Sequence, residues 1–263
     1  VVETEFFHHL PGGPVGEARG GFLFTYERDG DRLRVTAQRG AERAEGFIRW
    51  AFGAGAQGVT PLVELGLQSL EHRISYYPRA GRFDLTLGHA PGASRSAAEA
   101  LGIVQPQATL AACLGCHSSV EGIRVRSAGI ECERCHAGSE EHANANGTGA
   151  VRNPGKLSAH DEVAGCAGCH RLTPPGRADD PLNIRFQPLR LAMSRCYLKG
   201  NARCTNCHAA HADAATDTNL YRAACLKCHA GQAAKGDCVS CHMPRQTPAP
   251  YLTFTDHFIR IVR

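Results

Sequence analysis

Apolar and polar positions alternate with a period of two through the first hundred residues, as in strands that bury one face. Gly21-Phe-Leu-Phe-Thr-Tyr-Glu27 and Arg32-Leu-Arg-Val-Thr-Ala37 flank Asp29-Gly30, a pairing that predicts a tight hairpin. A second hairpin is expected from Arg73-Ile-Ser-Tyr-Tyr77 and Arg82-Phe-Asp-Leu-Thr-Leu87, joined across Pro78-Arg-Ala-Gly81. Phe47-Ile-Arg-Trp-Ala-Phe52 reads as a further strand that stops at the Gly-rich turn Gly53-Ala-Gly55. The composition of Ser94-Arg-Ser-Ala-Ala-Glu-Ala-Leu101 predicts a helix with Ser94 at its N-cap. Residues 1–105 are therefore expected to form a small antiparallel β module.

The pattern changes beyond residue 105. Asn144-Ala-Asn-Gly-Thr-Gly149 and Thr173-Pro-Pro-Gly176 read as surface loops. Aromatic residues make up only 6% of the chain and its mean hydropathy is −0.27, so bulky apolar side chains are scarce. The net charge of +4 is modest, and no basic run suggests nucleic acid. No apolar stretch approaches the roughly 20 residues that span a bilayer.

The cysteines carry the chemistry. The first 105 residues contain none, yet the chain has 13, and 12 of them fall into six copies of Cys-x-x-Cys-His. These are Cys113–Cys116–His117, Cys132–Cys135–His136, Cys166–Cys169–His170, Cys204–Cys207–His208, Cys225–Cys228–His229 and Cys238–Cys241–His242. The pattern is that of covalent c-type haem attachment. Two thiols three positions apart bond the porphyrin vinyl groups, and the next residue supplies the proximal imidazole to iron. Zinc knuckles do not require a histidine after every second cysteine. A thioredoxin-type pair needs a βαβ setting, and a disulfide framework would not repeat one spacing six times. Six haem c groups are expected. With about 25 residues per motif, porphyrin faces must supply much of the buried apolar surface. Residues 106–263 are thus expected to be a loop-rich, short-helix, haem-packed region of a multihaem cytochrome c that does not fold without its cofactors. Motif starts lie 19, 34, 38, 21 and 13 residues apart, which suggests that the first two sites pair and the last three cluster.

Of the 14 histidines, eight lie outside the motifs. His211 follows His208 by three residues, and His142 follows His136 by six within a short Gly-containing turn. His257 lies near the C-terminus after a Pro-rich stretch, and His89 ends the second hairpin. These four are the leading distal iron ligands, with His9 or His8 a further one and His160 a weaker one. His72 lies between Glu71 and Arg73 on an alternating strand, where a solvated position is the plain expectation. Cys196 is the odd cysteine, either a buried free thiol or one that pairs between chains or ligates iron.

Four stretches resemble a known family. They are Gly129-Ile-Glu-Cys-Glu-Arg-Cys-His-Ala-Gly-Ser-Glu-Glu-His142, Cys204-Thr-Asn-Cys-His-Ala-Ala-His211, Cys238-Val-Ser-Cys-His-Met-Pro244 and Phe254-Thr-Asp-His-Phe-Ile-Arg260. Together they resemble the multihaem cytochromes related to the tetrahaem cytochrome c of ammonia oxidisers, including forms joined to tetratricopeptide repeats. The likeness covers roughly residues 105–263, and more weakly Trp50-Ala-Phe-Gly53 through Gly88-His89. It implies that the trailing histidines His142, His211 and His257 serve as distal ligands. Two features depart from it: the further haem motif with which family members commonly open is missing, and so is the repeat extension. Cys-His-Met-Pro also occurs in pentahaem nitrite reductases, but the Cys-x-x-Cys-Lys of their active haem is absent here.

The expected function is electron transfer between redox partner proteins through six mostly bis-histidine haems, rather than enzymatic catalysis. The alternative is an oxidoreductase acting on small nitrogen or sulfur compounds at one open haem. A further expectation is that subunits polymerise into an extracellular cytochrome filament with haems near their interfaces. Because c-type haem is attached outside the cytoplasm, a periplasmic or extracellular location with a removed signal peptide is expected.

Overall fold

The computed structural model describes residues 8–17, 21–53, 55–121, 124–174, 176–177, 180–231 and 236–261. The chain divides into two units, Val1–Glu131 and Cys132–Arg263.

In the first unit β1 (Val15–Gly16), β2 (Leu23–Asp29), β3 (Arg32–Arg39), β4 (Glu42–Phe52), β5 (Thr60–Leu65) and β6 (Gln68–His72) follow one another as neighbours. With β9 (Gly102–Val104) added beside β6, they make a seven-stranded antiparallel sheet in the order β1-β2-β3-β4-β5-β6-β9. The hairpin across Asp29–Gly30 forms, with Asp29 opposite Arg32 and Gly30 at φ 63°. β7 (Ile74–Tyr77) and β8 (Arg82–Leu85) form the second hairpin, turned by Pro78–Ala80 with Gly81 left-handed at φ 60°. Leu33, Val35 and Ala37 alternate into the core with Phe22, Phe24, Ile48 and Val63, all fully buried. Each large apolar side chain so buried contributes about 1.5–3 kcal/mol, enough in sum to give this unit a core of its own.

The first helix is shorter than expected. α1 spans Ala97–Leu101, and its N-cap is Ser96, which accepts a hydrogen bond from the Glu99 amide. Ser94 is instead buried, with its amide and hydroxyl both donating to the Glu17 carboxylate, so it is not available to cap. The expected division after residue 105 falls inside the first unit. β9 hydrogen-bonds to β6 and leads directly into α2 (Gln107–His117), where the Phe52 ring packs 5.3 Å from that of His117. A hairpin of β10 (Ser119–Glu121) and β11 (Arg124–Ser127) follows.

The second unit is built from short helices. They are α3 (Ser139–Asn144), α4 (Ala159–His170), α5 (Gln187–Ala192), α6 (Arg195–Gly200), α7 (Thr218–Leu226) and α8 (Cys238–His242). One hairpin, β12 (Arg245–Ala249) with β13 (Leu252–Thr255), completes it. Its buried apolar side chains among the described residues are Val163, Ile184, Phe186, Leu191 and Leu252. Pro188 is buried as well, and the unit buries fewer apolar side chains than the first. Among the described residues no helix is long and apolar enough to cross a membrane.

Candidate functional site

Each Cys-x-x-Cys-His stretch folds as one helical turn, so its two thiols, three positions apart, lie on the same side. The first, third and sixth are the ends of α2 and α4 and the whole of α8. The second, fourth and fifth close their turns with hydrogen bonds from the His136, His208 and His229 amides to the carbonyls of Cys132, Cys204 and Cys225, at 2.7, 2.9 and 3.0 Å. The helix starts are well capped: Ser158 accepts from the Asp161 amide, and Asp237 from those of Val239 and Ser240. Among the described residues no two cysteines are joined by a disulfide. Among the described residues no three or more His, Cys, Asp or Glu side chains gather as a bare metal ion would require.

Three motif imidazoles are oriented by hydrogen bonds to carbonyl oxygens. His136 Nδ1 donates to the Arg152 carbonyl at 3.0 Å and His242 Nδ1 to the Arg260 carbonyl at 2.6 Å. His170 Nδ1 donates to Gln187 Oε1 at 3.1 Å. Since a carbonyl can only accept, the proton sits on Nδ1 and leaves the Nε2 lone pair free, the tautomer a metal-bound histidine adopts. Two histidines outside the motifs are held likewise, His142 by the Gly149 carbonyl at 3.2 Å and His257 by that of Thr255 at 3.0 Å.

Two motif histidines already face another histidine. The rings of His136 and His211 have centroids 5.9 Å apart and planes 28° apart. For His208 and His257 the values are 6.0 Å and 27°. Burial pushes the pKa of both His208 and His257 down, and neighbouring imidazoles add to the effect. The Tyr221 ring stands edge-on to His208 at 5.4 Å, a neighbour the sequence did not single out.

The remaining expected ligands differ in setting. His89 is 6% exposed, and both its ring nitrogens are buried without a hydrogen-bond partner. Its Nε2 lies 3.6 Å from Glu71, whose charge in turn raises the pKa of Cys113 in the first motif, after burial. His89 and Cys113 of the first motif thus share the Glu71 carboxylate as a neighbour. His9 stacks on Tyr76 at 4.9 Å and 14°, and His8 is exposed beside it. His160 is solvent-facing on the first turn of α4, 3.3 Å from Asp161.

His72 is not on a solvated face. It is fully buried, with Nδ1 donating to the Leu101 carbonyl at 2.7 Å and Nε2 accepting from the Tyr26 hydroxyl at 2.8 Å. Its neighbours Glu71 and Arg73 carry the polar pattern, but the Phe24 and Tyr26 rings and the Leu101 carbonyl close around His72. With both nitrogens engaged it has none left for iron.

The thiols locate neighbouring sites. Cys166 and Cys204, first cysteines of the third and fourth motifs, lie against each other and share a proton, so one thiol is lowered and the other raised. Cys225 feels the charges of Cys207 and Cys238, which gathers the last three motifs. Cys196 lies half-buried beside Cys207, Cys225 and Cys228, and burial raises its pKa.

Compared with protein-family models, curated proteins and solved structures, the chain finds no match in any of the three.

Proposed function

We propose that the chain is an electron-transfer protein carrying six covalently attached c-type haems, most of them ligated by two histidines. The observation that carries this reading is the pair of facing imidazoles, His136 with His211 and His208 with His257, at centroid distances of 5.9 and 6.0 Å. In both pairs one ring follows a Cys-x-x-Cys and the other is a histidine whose position already marked it as a distal ligand. Each haem would supply a one-electron iron couple. The residues' own work is to hold and tune: thiols fix the porphyrin edge, and Nδ1–H bonds to carbonyls orient the imidazoles and raise their basicity. Two nitrogen ligands leave no position for substrate, which suits transfer over catalysis. The resemblance to the cytochromes related to the tetrahaem protein of ammonia oxidisers supports the same reading, with a location outside the cytoplasm and a redox protein, or further copies of the chain in a filament, as partner.

One observation favours the alternative of an oxidoreductase acting on small nitrogen or sulfur compounds at an open haem. Five motifs fall within Cys132–Arg263, where the only further histidines are His142, His160, His211 and His257. On the haem reading these four histidines could serve at most four of that unit's five irons, so at least one would take its sixth ligand from elsewhere or have none. Pyridine haemochrome analysis with intact mass tests the first reading, which requires six haems per chain. The ferric spectrum separates the two: wholly low-spin absorption supports transfer, whereas a high-spin component that shifts with added nitrite or cyanide supports the open site.

A further inference from the structure

The residue before His257 is the most heavily bonded carboxylate of the second unit. Asp256 is fully buried, and Arg190 grips it with both ends of its guanidinium, Nε to Oδ1 at 2.9 Å and Nη2 to Oδ2 at 2.8 Å. Arg260 Nη2 adds a bond to Oδ2 at 2.6 Å, and Gln246 Nε2 another at 3.2 Å. The Phe258 amide donates to Oδ1 at 3.0 Å. Such forked, charge-assisted pairing fixes orientation as well as distance. The carboxylate thereby ties α5, β12 and the chain after β13 to one point.

That chain is a strap between two of the motif sites. At one end His257 faces His208 of the fourth motif. At the other, the Arg260 carbonyl accepts from Nδ1 of His242, the proximal histidine of the sixth motif. The backbone pairs alongside: the Arg260 amide donates to the His242 carbonyl at 3.0 Å, and the Asp256 amide to that of Pro244 at 3.1 Å. Asp256 lies at the root of both arms.

We propose that Asp256 is a positioning residue that sets two iron sites at once, aiming His257 at the fourth and holding the carbonyl that orients His242 at the sixth. The proposal rests on the haem reading above. It touches no iron ligand directly; its effect passes through the strap. Loosening the strap misaligns His257 and weakens the His242 Nδ1–H bond, which lowers imidazole basicity and raises the reduction potential of that iron. The two sites respond together because one carboxylate holds both.

The test is Asp256→Asn in the full, haem-loaded protein. Asparagine keeps the shape but sets an amide donor against the three donors now converging on Oδ2. Haem count, low-temperature electron paramagnetic resonance and a spectroelectrochemical titration are read on the variant and on His257→Ala, whose lost low-spin signal marks the fourth site. The expected result is six haems retained and two of the six irons altered: the marked site, and one other with a raised potential. Arg260→Gln, on a side chain 40% exposed, keeps the carbonyl and should move the same two irons by less. This surface variant carries the test if Asp256→Asn does not mature. Alteration of the fourth site alone, of all six irons, or of none would overturn the proposal. Fewer than six haems in the unaltered protein would instead overturn the haem reading, whatever Asp256 does.

Discussion

The Tyr26 hydroxyl donates to His72 Nε2 across 2.8 Å in the interior of the first unit, while His72 Nδ1 gives its own proton to the Leu101 carbonyl at 2.7 Å. The Phe24 and Tyr26 rings stand edge-on to the imidazole at 5.4 and 5.8 Å. Both nitrogens are committed in the neutral ring, so a second proton has to break the bond from Tyr26.

A pH dependence follows. Burial pushes the His72 pKa down to about 4, with the neighbouring His89 adding to it. The unfolded chain takes up that proton near the ordinary value of about 6.5. Between these two values the unfolded state binds more protons, so stability is full above about pH 6.5 and falls as pH drops towards 4. The loss from this one group is on the order of 3 kcal/mol. Chemical unfolding of the sheet, followed by far-ultraviolet circular dichroism across this range, should show the decline. His72→Leu should be less stable at neutral pH, because it strands the Tyr26 hydroxyl and the Leu101 carbonyl, and should show a flatter slope. An equal slope in both proteins would assign the dependence to other groups.

Much of the first unit was legible because its signals are local. Asp29–Gly30 and Pro78–Gly81 turn the chain as their residue types dictate, and Leu33, Val35 and Ala37 alternate inward. The turn between β5 and β6, at Gly66–Leu67, was not legible, since Leu65, Leu67 and Leu70 mask it with apolar positions; Leu67 is in fact fully exposed. The six Cys-x-x-Cys-His motifs are legible from spacing alone, and the structure sets His211 beside His136 and His257 beside His208. What no pattern showed is which carbonyl each Nδ1 finds, or that Arg190 and Asp256, 66 residues apart, meet. Those contacts depend on tertiary arrangement and leave no trace in composition or period.

The facing imidazoles yield a paired prediction. His211→Ala and His257→Ala should each convert one low-spin iron in six to high-spin, with the other five unchanged. His160→Ala should change nothing, because that side chain is 77% exposed and its nearest ionic partner is Asp161. Magnetic circular dichroism of the ferric variants reads the spin state iron by iron. A silent His211→Ala would break the link between His136 and its partner, and a high-spin signal from His160→Ala would move a ligand to α4.

Gly138 sets the turn after the second motif. It has φ 86°, and a Cβ added there would meet the Ala150 carbonyl oxygen at 2.6 Å. The Glu133 carboxylate, which accepts from the Gly138 and Glu140 amides and the Ser139 hydroxyl, caps α3 across this same turn. Gly138→Ala carries a left-handed backbone cost of about 1–2 kcal/mol on top of the clash. The segment it displaces carries the Arg152 carbonyl that receives His136 Nδ1. The expected outcome is a lower midpoint of thermal unfolding together with a shifted potential at one iron. A lowered midpoint with all potentials intact would uncouple this turn from the site.

His89 offers the sharpest test in the first unit. Its side chain is 1% exposed, yet neither ring nitrogen has a hydrogen-bond partner, and the nearest charge, Glu71, stands 3.6 Å away. Leaving an imidazole buried and unsatisfied costs a few kcal/mol, and a folded protein keeps such a group only where something offsets the penalty. Ligation by Nε2 would do so, and the Glu71 carboxylate, adjoining both His89 and Cys113, places the first motif in the neighbourhood. His89→Leu separates the possibilities by the sign of its effect on stability as well as by spectrum. If the imidazole holds iron, the variant keeps six haems, gains one high-spin iron and loses stability. If the ring serves no iron, leucine removes an unsatisfied polar group from the interior, so the spectrum stays low-spin and the unfolding midpoint rises. The expected result is the first.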